Sequence, residues 1–217
     1  MEKKILDFIS EVAIRTAIQR KAYSGNEGVL KKKIHSQQIQ DKMKDYLDNI
    51  LMGNKPSFKK ITEDILNILS DPLFTFGNAQ KFVSMFVKYA YIMTYNNSKL
   101  RNNFNYHPAP MDRKMIDHVC DSIKTDIDVQ NEFKQNGIDY NDIIKVLKAC
   151  AWSKLKGYTD PTFTEVQNCL NLFAKLDNIN SPLEYDIFIL AIKNHELIAR
   201  GFSLFVFINY FCYFSSR

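Results

Sequence analysis

Glycine and proline are scarce: the 217-residue chain holds 7 of one and 6 of the other. That is too few turn-formers for the many tight connections of an all-β protein. Cysteine is sparse as well. Cys120, Cys150, Cys169 and Cys212 lie far apart with no C-x-x-C pair, so neither a paired-cysteine zinc site nor a small disulfide framework is indicated, and a reducing, cytoplasmic setting is expected. The histidines His35, His107, His118 and His195 are scattered, and His118 and Cys120 would point about 200° apart on a helix, a poor metal pair. No metal and no cofactor are expected. The chain also lacks G-x-x-x-x-G-K-[ST], G-x-G-x-x-G, G-x-S-x-G and H-E-x-x-H, the devices that cradle phosphates, expose a nucleophilic serine or hold catalytic zinc.

Long apolar runs are missing too. Charges interrupt the N-terminal MEKKILDFISEVAIRTAIQRK, which is therefore not a secretory signal. The apolar stretch Gly201–Phe214, GFSLFVFINYFCYF, spans 14 residues with Asn209 inside, short of the roughly 20 that cross a bilayer. A buried helix or strand is expected there, with an interfacial anchor or a partner surface as the alternatives.

What is present is helical patterning. Hydrophobic residues make up 46% of the chain, and in most segments they recur with a period near 3.6. Ile5, Phe8, Ile9, Val12 and Ile18 predict a first helix, and a second pattern runs from about Val29 to Leu51. A third follows Ser57 and stops before Asp71-Pro72. A fourth, with Asn78 as its N-cap, runs to about Tyr95. The polar loop NNSKLRNNFNYHPAP then leads to Asp112, read as the N-cap of a helix carrying Met115, Ile116, Val119 and Ile123. Further patterns cover roughly 128–135, 140–152, 162–176 and 182–199. Together they predict one all-α domain over residues 1–217, with eight or so helices. Trp152 reads as a core-edge side chain at a helix end. The net charge of +5 is concentrated at the N-terminal side, where residues 1–60 hold 13 Lys/Arg against 7 Asp/Glu.

With Asn78 as N-cap, Lys81 falls in the first turn, where unpaired N–H groups and the helix dipole disfavour a cation. Three readings are open: a solvated lysine, an anion ligand, or an amine held neutral. A neutral amine is a nucleophile toward carbonyl- and acetal-like carbons, and such chemistry needs a carboxylate to move protons and balance the developing charge. Asp112, at the start of the next long helix, is the candidate: a helix–loop–helix hairpin would bring it to the same cleft.

FGNAQKFVSMFVKYAY, followed by a loop and HPAPMDRKMI, resembles the catalytic segment of the helix-hairpin-helix DNA glycosylases. It is most similar to the archaeal-type 8-oxoguanine glycosylase/lyases, with a long lysine-to-aspartate gap and a second lysine, Lys88, seven residues after the first. The usual L-P-G-[VI]-G hairpin is absent; Gly77 is the one glycine at that place. The resemblance implies a glycosylase-like fold acting on double-stranded DNA with a damaged base or abasic site. Lys81 would then form a Schiff base at the sugar C1′ and Asp112 would assist. In that frame Lys31, Lys32, Lys59, Lys60 and Arg101 are candidate phosphate contacts, with Lys33 beside them. Phe82, Tyr89, Tyr91 and Trp152 are possible stacking aromatics. The alternative is a non-catalytic all-α interaction module of a mobile-element or defence system with a glycosylase-like fold.

Overall fold

A chain patterned at 3.6 residues buries its apolar stripes by packing helix on helix, and this one does so in two groups. The structure is a computed structural model that describes residues 3–19, 22–95 and 97–193. The first group is α1 (Lys3–Ile18), α2 (Glu27–Ile34), α3 (Gln37–Leu51), α4 (Phe58–Leu69), α5 (Phe76–Thr94) and the short α6 (Ser98–Asn102). The second is α7 (Arg113–Thr125), α8 (Ile127–Gln135), α9 (Tyr140–Ala149), α10 (Pro161–Leu176) and α11 (Pro182–Lys193), with a 3₁₀ turn at Trp152–Lys154. No strand occurs among the described residues. Gly201–Phe214 lies outside them, as do His195 and Cys212.

The axis of the first group is α5, about 28 Å long at 1.5 Å per residue. It is buried on every side from Phe76 to Lys88, with α1 as its main neighbour and α3, α4 and α6 also against it. In the second group α10 packs on α7, α8, α9 and α11. Phe163 of α10 joins the groups, stacking on Phe58 of α4 at 6.1 Å and meeting Phe76 of α5 edge-on at 5.7 Å. The buried apolar side chains, from Leu6 to Ile189, form one continuous core.

Several sequence expectations are corrected. The single pattern over 29–51 is two helices, because His35 ends α2 and Ser36 begins α3. The Asn-rich loop contains α6. The N-cap of α5 is Thr75, not Asn78. Asn78 is the third helical residue and completes a reciprocal capping box, its side chain accepting from the Thr75 N–H at 3.2 Å while Thr75 Oγ1 accepts from the Asn78 N–H at 3.3 Å. The Asn78 amide also donates to the carbonyls of Ala17 and Ala22, tying the end of α1 to the start of α5.

Candidate functional site

Moving the cap back to Thr75 places Lys81 in the second turn of α5. The dipole acts mainly within the first turn, so the helix end is not what makes this lysine unusual. Its surroundings are. The side chain is 7% exposed, its Nζ lies 3.1 Å from Asp112 Oδ2, and it sits over the Trp152 ring, 4.7 Å from the centroid. A lysine this buried needs a partner, and a carboxylate plus an aromatic face supplies one.

Asp112 divides its oxygens between two partners. Oδ1 accepts from the Met115 N–H at 3.0 Å and caps α7, as its sequence position predicts; Oδ2 faces Lys81. The approach to this cap is held with unusual completeness. In HPAPMD, Pro108 and Pro110 have no N–H, and the His107 N–H is taken by the Phe104 carbonyl, which leaves the backbone donors of buried Ala109 and Met111 to be matched. Each is matched by a glutamine carboxamide. Gln80 of α5 donates to Met111 O at 2.9 Å and accepts from Met111 N at 3.4 Å, while Gln167 of α10 donates to Ala109 O and accepts from Ala109 N, both at 3.0 Å. The segment is thus clamped between the two helix groups, and the clamp fixes where Asp112 meets Lys81.

The base of the site is a close approach. A Cβ built on Gly77 would come within 2.0 Å of the Trp152 carbonyl oxygen and 2.9 Å of Ser153 Cα, so glycine is required for the 3₁₀ turn to lie against the first turn of α5. Thr75 Oγ1 also donates to the Ser153 carbonyl. This contact aims Trp152 at Lys81. The ring is half-buried against Lys81; the sequence reads it as a core-edge side chain and, within the resemblance, as a possible stacking aromatic.

Two turns further along α5 is a second buried ion pair, Lys88 with Asp186 of α11, their side chains 5% and 9% exposed. Burial pushes the Asp186 carboxyl above the ordinary range; Lys88 pulls it back, and the nearby Asp112 charge adds to the upward push. Lys81, Ser84 and Lys88 follow one another at helical spacing on one strip of α5. Sequence reasoning does not single out Ser84, Gln80, Gln167 or Asp186. The signal for the α5 members is polar residues at helical spacing inside an otherwise apolar helix, since a buried polar group is the informative exception. Gln167 and Asp186 carry no such local mark.

Of the other sequence candidates, Phe82 and Tyr91 lie wholly in the core and Tyr89 is half-buried. The lysines proposed for phosphate contact are spread out. Lys31 pairs with Glu11 at 3.6 Å and Lys59 with Glu63 at 3.9 Å, while Lys32 and Lys60 are exposed. Lys33 donates to the Leu69 carbonyl at the end of α4 at 2.6 Å, whereas Lys59 and Lys60 belong to its first turn, about 14 Å away along the helix. Arg101 is half-buried, its guanidinium 5.2 Å from the Tyr95 ring centroid. A cavity of about 250 Å³, lined among others by Tyr106, Tyr158, Gln167 and Asn171, opens elsewhere; Lys81, Ser84 and Asp112 do not line it. Among the described residues no cluster of side chains suits a metal ion, and no helix is long and apolar enough to cross a membrane. The chain matches no family model, no curated protein and no solved structure.

Proposed function

We propose that this chain is a DNA base-excision glycosylase with abasic-site lyase activity, in which Lys81 is the nucleophile and Asp112 its proton acceptor. The observation that carries the reading is the 3.1 Å contact between Lys81 Nζ and Asp112 Oδ2, across two helices, in a segment that resembles the glycosylases. Asp112 takes a proton from the ammonium; the freed amine attacks C1′ of the target sugar; the glycosidic C1′–N bond breaks and its electron pair leaves with the base, which takes up the proton. The ring oxygen then departs from C1′ as a hydroxyl, leaving an iminium between C1′ and Lys81. Loss of a C2′ proton expels the 3′ phosphate. The partner is double-stranded DNA carrying a damaged base or abasic site, held through phosphate contacts for which exposed Lys32 and Lys60 are the first candidates.

One observation favours the second reading, a non-catalytic helical interaction module: Lys81 is closed onto Asp112 and nearly excluded from solvent, as a purely structural ion pair would be. Borohydride trapping on a duplex with a preformed abasic site separates the two, because reduction converts the iminium into a stable amine cross-link whichever base was removed. The wild-type protein is expected to trap and Lys81→Gln to lose the cross-link. Absence of trapping by the wild type, or trapping that survives in Lys81→Gln, replaces the enzyme with the interaction module.

A further inference from the structure

Ser84 is fully buried, and its Oγ, like the Tyr91 hydroxyl and Arg101 Nε, has no hydrogen-bond partner among the described residues. A serine or threonine inside a helix usually returns its hydroxyl to the carbonyl one turn back, as Thr62 does to Phe58 at 2.9 Å and Thr94 to Ala90 at 3.2 Å; Ser84 makes no such bond. An unsatisfied buried hydroxyl costs stability, and alanine in its place would avoid that cost with almost no change of shape. A residue that breaks a local rule in this way marks a group kept for something else.

Its position indicates what. Ser84 comes three residues after Lys81 and four before Lys88, within about 60° and 40° of them around α5. It therefore lies on the strip that carries both ammonium groups, between the ion pairs to Asp112 and Asp186. The ammonium groups only donate and the ionised carboxylates only accept; between Lys81 and Lys88 on this strip, the Ser84 hydroxyl is the group that does both. A nucleobase edge presents neutral donors and acceptors side by side, and a site built to hydrogen-bond such an edge discriminates strongly against bases that cannot pair with it.

We propose that the Ser84 hydroxyl determines base specificity, bonding a polar edge of the excised base when its nucleotide is turned out of the duplex against Lys81. The assignment rests on the glycosylase reading. The test is Ser84→Ala, measured in two ways. The melting temperature should rise, because the orphan hydroxyl is gone. Single-turnover excision should also fall at least tenfold relative to borohydride trapping on a preformed abasic duplex, where there is no base to read. The excision probes are duplexes carrying 8-oxoguanine, uracil, hypoxanthine or thymine glycol. A melting temperature unchanged or lowered shows that the hydroxyl is already partnered and overturns the proposal. So does an excision-to-trapping ratio equal to wild type on every probe that the wild type cleaves, or a wild type that traps yet excises none of the four. A wild type that fails to trap at all removes the glycosylase reading itself, and this proposal with it.

Discussion

Replacing Asp112 should cost the fold more than replacing Lys81, although both changes break the same ion pair. The difference comes from burial. Asp112→Asn keeps the cap of α7, since asparagine caps as well as aspartate, but leaves the Lys81 ammonium, 7% exposed, without its counter-charge. Removing one partner of a buried pair costs about 3–5 kcal/mol. Asp112 is 30% exposed, so water relieves part of the penalty, and the lower end of that range, about 3 kcal/mol, is expected. Lys81→Met instead leaves a carboxylate that is partly hydrated and still bonded to the Met115 N–H; an exposed or half-exposed pair contributes about 1 kcal/mol or less. For a chain of this size 1 kcal/mol shifts the melting temperature by roughly 2–4 °C. Asp112→Asn is therefore expected to lower it by roughly 6–12 °C and Lys81→Met by about 4 °C at most. The double variant should lose less than the sum of the two, with a coupling of about 1 kcal/mol or more. Urea unfolding followed by helical circular dichroism on all four proteins measures this. Equal costs for the two single variants, a larger cost for Lys81→Met, or strict additivity would refute the placement of a buried ammonium against a part-solvated carboxylate.

Other outcomes follow from the same structure. Gln80→Leu leaves the Met111 N–H and C=O and the Gly77 carbonyl without their amide partner, so a loss of about 2–3 kcal/mol in unfolding free energy is expected, with trapping slowed more than DNA binding is weakened. Gly77→Ala drives a Cβ into the Trp152 backbone, and a melting temperature within a degree or so of wild type would contradict that close approach. His107 is buried, accepting from the Tyr46 hydroxyl at Nε2 and donating to the Pro108 carbonyl from Nδ1, and burial lowers its pKa from 6.5 to about 4. The unfolded chain binds the proton first as pH falls, so stability drops by about 3 kcal/mol between pH 6.5 and 4; His107→Gln should flatten a stability–pH curve across that window. If DNA is the partner, affinity should fall steeply with added salt, and neutralising exposed Lys32 and Lys60 should shallow that slope by about two charges, as read by fluorescence anisotropy.

The all-helical class, most helix limits in the second half of the chain and the cap at Asp112 were legible in the sequence. Periodicity and caps are written within three or four residues of one another, and a local pattern is enough to read them. Lys81 and Asp112 were legible as a pair because only a loop with the short α6 lies between their helices, so a helix–loop–helix hairpin could return the chain to the same cleft. Local signals failed where two residues competed for one capping position. Thr75 and Asn78 are both good N-caps three residues apart, and only the tie from Asn78 to Ala17 and Ala22 decided between them. They failed again at His35-Ser36, where the apolar stripe continues across a break in the helix. The pairing of the buried polar groups was beyond local reach. Gln80 with Met111, Gln167 with Ala109 and Lys88 with Asp186 lie 31, 58 and 98 residues apart; Gln80 and Lys88 stand out as polar residues in an apolar helix, but nothing local names their partners. Which polar group meets which inside the protein is set by how the two helix groups dock. The tertiary structure alone made that choice, by burying those groups where a donor or a charge needs a partner, and it left the Ser84 and Tyr91 hydroxyls and Arg101 Nε without one among the described residues.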